Sequence, residues 1–311
     1  MLSRRRLLTV LPAACCQGLA PILRAALAGG GKRVAAVYPS SLEPCAQAVE
    51  GLRSRLAAND EIPVDLLDLN GADFAVDAAR EAQRKPAAVV AVGSEALRAV
   101  LDWRGAGRII STMALAADSA GEYTAGRVAA AVYLDIPIRA LIAELRRIFP
   151  EKTRVGVIRD PRRGGDRSWP VRSLAPDPGL VHFAECASAD ELLPVFLAFR
   201  HKVDFVICLP DSTLYNAATA RPLIMASIEN RLPVVGFSPA FLHAGAAVAM
   251  YPDYRAVGEQ TGDLVRRCLG ASECGGAESP RKIAVAVNAK VLRLLGLAFD
   301  ASANPCLAVV R

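Results

Sequence analysis

The chain has 311 residues, above the roughly 250 to 300 at which one hydrophobic core stops growing, so two domains are expected. With 53% hydrophobic and 22% charged residues it can bury large cores, which excludes a disordered or fibrous class. Its formal charge of +6 includes Arg4, Arg5, Arg6 and Arg24; without them it is 6 − 4 = +2, too little for an electrostatic footprint on nucleic acid.

Residues 1–28 carry the three parts of a secretory signal: a basic run at Arg4–Arg6, an apolar stretch from Leu7 to about Leu23, and Ala26-Leu27-Ala28 before three glycines. The order Ser3-Arg4-Arg5-Arg6-Leu7-Leu8 also resembles a twin-arginine signal. Pro12, Pro21 and Arg24 interrupt the stretch, which therefore falls short of the roughly 20 apolar residues that span a bilayer. Cys15 and Cys16 raise lipidation as a separate possibility, although Pro12 spoils the box before them. The expected location is the periplasm, with the Sec and twin-arginine routes both open.

Beyond the signal, short apolar runs alternate with helical patterns, which predicts parallel sheets with helices on their faces. Arg33–Tyr38 reads as a buried strand, Pro39-Ser40-Ser41 as a loop, and the next segment as a helix burying Ala48, Val49, Leu52 and Leu56. Val64–Leu67 is a strand, 74–84 a helix, Ala87–Val92 a strand, Glu95 to about Leu101 a helix after Gly93-Ser94, and Arg108–Ser111 a strand. A second run starts with a helix at Ile138–Phe149 and continues through strands at Arg154–Arg159, Val181–Cys186, Phe205–Leu209 and Leu232–Phe237, with helices at Ser188–Phe199 and Thr213–Arg231. The Arg-, Gly- and Pro-rich segment 160–177 reads as a loop.

After Ala246–Tyr251 only a helix (about Tyr254–Leu269), a Gly-rich turn, a strand (Ile283–Val287) and a helix (Ala289–Leu297) remain, too little for a third domain. The chain is expected to return and complete each lobe. Lobe 1 is expected to hold 30–134 plus about 249–275, and lobe 2 to hold 135–248 plus about 281–311. Ligand would bind between two Rossmann-like lobes, opposite the carboxyl ends of their strands.

Four stretches carry a family resemblance. Tyr251–Gly270 (YPDYRAVGEQTGDLVRRCLG) resembles a tyrosine-glycine-glutamine helix ending in a Leu-x-Gly turn. Ala286-Val287-Asn288-Ala289-Lys290-Val291-Leu292 with Leu295-Gly296-Leu297 is similar to a Val-Asn-x-x-x-Ala-x-x-Leu-Gly ending. Leu209-Pro210-Asp211-Ser212-Thr213 is similar to a Pro-x-Asp-Asn-Thr loop, and Phe149-Pro150 runs into Arg154-Val155-Gly156-Val157. In this order they resemble the ABC transporter substrate-binding family implicated in tryptophan and tyrosine uptake. That resemblance implies a type I periplasmic binding protein fold, an ABC permease in the inner membrane as partner, and an amino acid, aromatic first, as ligand. The chain departs from the family at Ser212 and at Ala125-Gly126-Arg127-Val128, where an Asn-x-Thr-Gly segment joins the lobes.

Candidate ligand residues follow from loops that leave strands and enter helices. Ser40, Ser41 and Ser94 stand where helix N-termini attract anions, with helix capping as the plainer reading. Asp211, at the end of an apolar strand, is placed either to meet a ligand ammonium or to cap the following helix; Ser238 and Thr112 follow strands in the same way. Tyr38, Tyr215 and Phe237 lie near strand ends where a ring can stack on a planar ligand or pack at the lobe edge.

Catalytic signals are thin: the three histidines are His182, His201 and His243, and neither a Gly-x-Ser-x-Gly elbow nor a phosphate-binding glycine loop occurs. No cysteine or histidine spacing suits zinc, so neither cofactor nor metal is expected, and the chain reads as a monomeric binding protein rather than an enzyme. Cys268 and Cys274 flank a turn and either pair in an oxidising compartment or remain buried thiols. Arg162-Arg163 with Asp166-Arg167 reads as a solvated loop. A ligand sensor partnered with a membrane kinase would need the same cleft and stays open as an alternative.

Overall fold

The computed structural model describes residues 32–60, 62–103, 107–152, 154–162, 180–271, 274–299 and 307–310. The signal, twin-arginine and lipidation readings fall on residues outside these, as do most of the 160–177 loop and Cys306. Lobe 1 opens with β1 (Val34–Tyr38), α1 (Glu43–Asp60), β2 (Val64–Asp68), α2 (Phe74–Arg84), β3 (Ala88–Val92), α3 (Ser94–Val100), β4 (Arg108–Ala114), α4 (Ala116–Thr124) and β5 (Ala130–Tyr133). Lobe 2 follows with α5 (Ile138–Ile148), β6 (Val155–Arg159), β7 (Val181–Glu185), α6 (Leu192–Leu197), β8 (Phe205–Cys208), α7 (Ala217–Glu229), β9 (Val234–Gly236), α8 (Pro239–His243) and β10 (Val248–Pro252). The chain then returns to lobe 1 for α9 (Tyr254–Gly270) and β11 (Ala277–Glu278). It ends in lobe 2 with β12 (Ile283–Asn288), α10 (Ala289–Leu294) and β13 (Ala308–Val310).

Two sheets result, ordered β11-β5-β4-β3-β1-β2 and β13-β12-β10-β9-β8-β6-β7. Every pairing is parallel except β10 with β12. Central strands such as β3 (AVVAV) and β8 (FVIC) are buried throughout, as strands covered on both faces must be. The outer strands β2 and β7 mix buried with exposed positions and carry Asp65, Asp68 and Glu185, which suits an open edge.

Three differences from the sequence reading bear on the cleft. Neither α4 nor β5 was expected, because four small or apolar residues and a helix interrupted by Gly121 leave little periodic signal. Ala125–Val128 accordingly lies between α4 and β5, inside lobe 1, and the first crossing is the segment 134–137. All of β10 belongs to the second sheet, so the return to lobe 1 starts near Asp253 rather than at 249.

That return is held by backbone-to-backbone packing of α9 on α1. A Cβ on Gly258 would lie 1.8 Å from the Ala48 carbonyl oxygen, and one on Gly51 would lie 2.1 Å from that of Arg255. At Gly262 a Cβ would meet Arg55 Cβ at 2.8 Å. Inside the same contact the hydroxyls of Thr261 and Thr112 share a hydrogen bond of 2.9 Å, both residues fully buried. Past the end of the contact Cys268 and Cys274 form a disulfide. Closing so short a loop is worth about 2 kcal/mol in the chain-entropy account. The other cysteines among the described residues, Cys45, Cys186 and Cys208, are buried and free.

Gly258→Ala is expected to push the two helices apart and lower stability by about 2 kcal/mol or more. Gly270→Ala, where an added Cβ meets nothing within 4 Å, serves as the control. Thermal denaturation of the two variants checks this: equal midpoints would contradict the close packing.

Candidate functional site

The three crossings bring the carboxyl edges of the two sheets to face each other. The segment 134–137 leaves the carboxyl end of β5 and enters α5 at the end that lies over the carboxyl edge of the second sheet. Asp253 leaves the carboxyl end of β10 for α9, and 279–282 runs from the carboxyl end of β11 to β12, which starts on that same edge because it is antiparallel. The second and third crossings are tied together: Lys282 Nζ lies 2.8 Å from the Asp253 carboxylate, and the Asp253 N–H donates to the Lys282 carbonyl at 3.1 Å. Gln260 anchors the third crossing to α9, donating to Glu278 and to the Ser279 carbonyl and accepting from the Arg281 N–H.

On the lobe 1 edge, Ser40 donates from both its hydroxyl (2.5 Å) and its N–H (3.0 Å) to the Asp68 carboxylate. These bonds, the hydroxyl foremost, hold the Asp68 carboxyl below its ordinary value. The Ser41 hydroxyl donates to Asn70 at 3.2 Å. Both serines therefore knit the β1 loop to the end of β2 instead of capping α1. Ser94 is the first residue of α3, whose cap is Gly93 at φ 98, a left-handed conformation that favours glycine. Thr112, expected at the cleft, instead faces α9 and is 1% exposed, because alternation along β4 puts it on the same face as Ile110, which packs in the core that α9 covers.

On the lobe 2 edge, Asp211 lies just past β8 and is 7% exposed. Its Oδ1 accepts from the N–H groups of Thr213 (2.8 Å) and Leu214 (3.3 Å), while Asn216 caps α7. Asp211 thus fixes the turn after β8 rather than the helix. Ser238 caps α8 in extended backbone without a side-chain cap bond. Tyr215 is buried edge-on against Phe237 and Phe241, so of the three rings in the sequence reading Phe237 is the one that borders a recess, and Tyr38 packs into the lobe 1 core.

That recess, about 30 Å³ and partly open, lies between the ends of β8, β9 and β10 and the first crossing. Leu134, Ile136, Leu209, Phe237, Met250 and Pro252 give it an apolar wall. A larger hollow of about 520 Å³ lies at the opposite edge of the second sheet, lined by Lys152, Arg200, His201 and Arg231 among others. Helices end there, so cations offset their negative ends, and the hollow lies away from the cleft.

Sequence reasoning missed a second polar group on the lobe 2 edge. Asp160, 4% exposed at the end of β6, holds the Arg162 guanidinium by two bonds, Nε at 3.0 Å and Nη2 at 2.8 Å. The spacing Asp-x-Arg directly after an apolar strand was the available signal. Among the described residues no group of three or more His, Cys, Asp or Glu is arranged to hold a metal, and no helix is long and apolar enough to cross a membrane.

Two parallel α/β sheets joined by three crossings and facing each other at their carboxyl edges define the type I periplasmic binding protein fold. Solved structures agree. The ligand-free, open form of CD0873, a substrate-binding protein with adhesive properties from Clostridium difficile, matches with TM-score 0.68 at 16% identity over 90% of this chain and 99% of that one. An ABC domain in complex with L-Trp from Streptococcus pneumonia matches with TM-score 0.55 at 15% identity over 90% and 100%. A conserved domain protein from Vibrio cholerae matches with TM-score 0.54 at 18% identity over 90% and 99%. No family model and no curated protein matches the sequence.

Asp211→Asn keeps an acceptor for the Thr213 and Leu214 N–H groups and removes only the charge. If Asp211 meets a ligand ammonium, affinity for a zwitterion falls about tenfold or more while the melting midpoint stays put. Titration calorimetry beside a melting curve checks both, and unchanged affinity removes Asp211 from the site.

Proposed function

We propose that the chain is the extracytoplasmic solute-binding component of an ABC importer, closing its lobes around a zwitterionic small molecule, an aromatic amino acid first. The observation that carries this is the apolar recess flanked by a carboxylate: Phe237 and Leu209 line it, and Asp211 stands two residues past Leu209. The recess itself, about 30 Å³, has room for a water or two, so a ligand would be held in the space between the lobes with the recess as its apolar wall and its charged end toward the polar edge. The four family-like stretches in the sequence support the same class of ligand. The disulfide between Cys268 and Cys274 supports an oxidising compartment.

A ligand that binds only the folded state stabilises it by about 2.7 kcal/mol at a hundredfold excess over Kd, enough to raise the midpoint by a few degrees. Thermal-shift measurements with L-tryptophan, L-tyrosine and L-phenylalanine, beside nucleosides and sugars, are expected to single out the aromatic amino acids. A rise with another class alone overturns the amino-acid assignment. Periplasmic placement predicts that the exported protein begins near Gly29, which N-terminal sequencing reads; an intact Met1 on cytoplasmic protein would refute it.

A further inference from the structure

Arg162 is an exposed cation fixed in place by a buried anion. Its backbone N–H donates to Asp160 Oδ1 at 2.8 Å, its Nε to the same oxygen at 3.0 Å, and its Nη2 to Oδ2 at 2.8 Å. The second Nη2 donor reaches the Ala187 carbonyl at 2.5 Å, just past the end of β7. A guanidinium has five N–H donors, of which the described residues engage three and leave the two on Nη1. The side chain is 64% exposed whereas that of Asp160 is 3% exposed. A long arginine on a loop normally loses much of its rotamer freedom when it binds; this one has already lost it to Asp160 and Ala187.

Its position is that of a ligand group. Asp160, Ala187 and Asp211 follow β6, β7 and β8, three neighbouring strands, at the carboxyl edge that faces lobe 1. Arg162, pinned just past β6, and Asp211, just past the neighbouring β8, put a fixed cation and a buried carboxylate on one stretch of the cleft wall. A molecule bearing an anion and a cation a few bonds apart is complementary to that pair, and one bearing a cation alone is not.

We propose that Arg162 is the specificity-determining residue for the anionic end of the ligand, its Nη1 donors taking a carboxylate while Asp160 acts as the positioning residue that holds them. The inference rests on the reading of the chain as a solute-binding protein and adds the requirement that the solute carry a carboxylate or a comparable oxyanion.

Three indole compounds separate the charged ends: L-tryptophan carries both, indole-3-propionate only the carboxylate, and tryptamine only the ammonium. Calorimetry on the full mature chain should show Arg162→Gln weakening tryptophan and indole-3-propionate by about tenfold or more, and tryptamine by no more than about twofold. Because Arg162→Gln leaves a buried carboxylate without its cation, the double variant Asp160→Asn/Arg162→Gln removes both charges and should show the same pattern in a well-folded protein. Asp160→Asn alone keeps the cation but releases it, and should weaken the two carboxylates by a smaller factor without touching tryptamine. The inference is overturned if the double variant binds tryptophan within about twofold of the parent. It is also overturned if the solute picked out by a screen of amino acids, nucleosides and sugars is a neutral molecule, a result that leaves the solute-binding reading intact. If no solute binds the parent at all, that reading fails and this one falls with it.

Discussion

The architecture depends on how closely α9 lies on α1. At Gly258 and Gly51 there is no room for even a methyl group, since a Cβ would overlap a carbonyl oxygen of the facing helix. This contact takes a segment that has just left the second sheet at Pro252 and fixes it in the first lobe before the chain crosses again. Without it, lobe 1 would lose both the helix that covers one face of its sheet and the short edge strand β11. The glycines and glutamine of the Tyr251–Gly270 stretch have separate physical roles: Gly258 and Gly262 admit the neighbouring helix, and Gln260 ties down the crossing that follows.

Both lobes are built from segments on either side of the crossings, and three short stretches join them. Two of these behave as one ribbon through the Asp253–Lys282 pair. Burial works to raise the Asp253 carboxyl, but Lys282 and the Ala256 N–H outweigh it and keep the carboxyl below its ordinary value. The first crossing is held differently: Asp135 accepts from the Ala116 N–H at 2.7 Å at the start of α4, and burial pushes its carboxyl up. The joints are therefore specified by side chains.

Most of the fold was legible because its strands are apolar runs bounded by turns and its helices bury regular faces. The exceptions were short or weakly periodic. The four residues of β5 and the Gly-interrupted α4 went unseen, and with them the fact that the Ala125–Val128 segment lies inside lobe 1 rather than between the lobes. Asp211 and Ser40 follow the carboxyl ends of their strands, as strand-end logic expects, but hydrogen bonding decides what they do there, and for Ser40 it depends on a residue distant in sequence, Asp68. Thr112 faces α9 because it shares a strand face with Ile110, and which face of β4 α9 would cover depends on a helix whose Thr261 lies 149 residues further along the chain. Arg162 was read as part of a solvated loop because its partner's burial is a property of the fold.

The two edges are not equivalent. On lobe 1, Ser40 and Asp68 satisfy one another, and Ser41 is engaged by Asn70, so that edge offers a preformed surface. On lobe 2, the apolar recess, the rigid Asp211 turn and the pinned Arg162 lie along neighbouring strand ends. On the proposed reading, a solute would gain most of its differential contacts from lobe 2 and would recruit lobe 1 afterwards, through closure of the joints. A ligand shifts a conformational balance only by the difference in its affinity for the two forms. The selectivity of the cleft and the drive for closure would then reside in different lobes, the first in the charges and recess of lobe 2 and the second in whatever contacts the Ser40 and Ser94 loops add once they arrive.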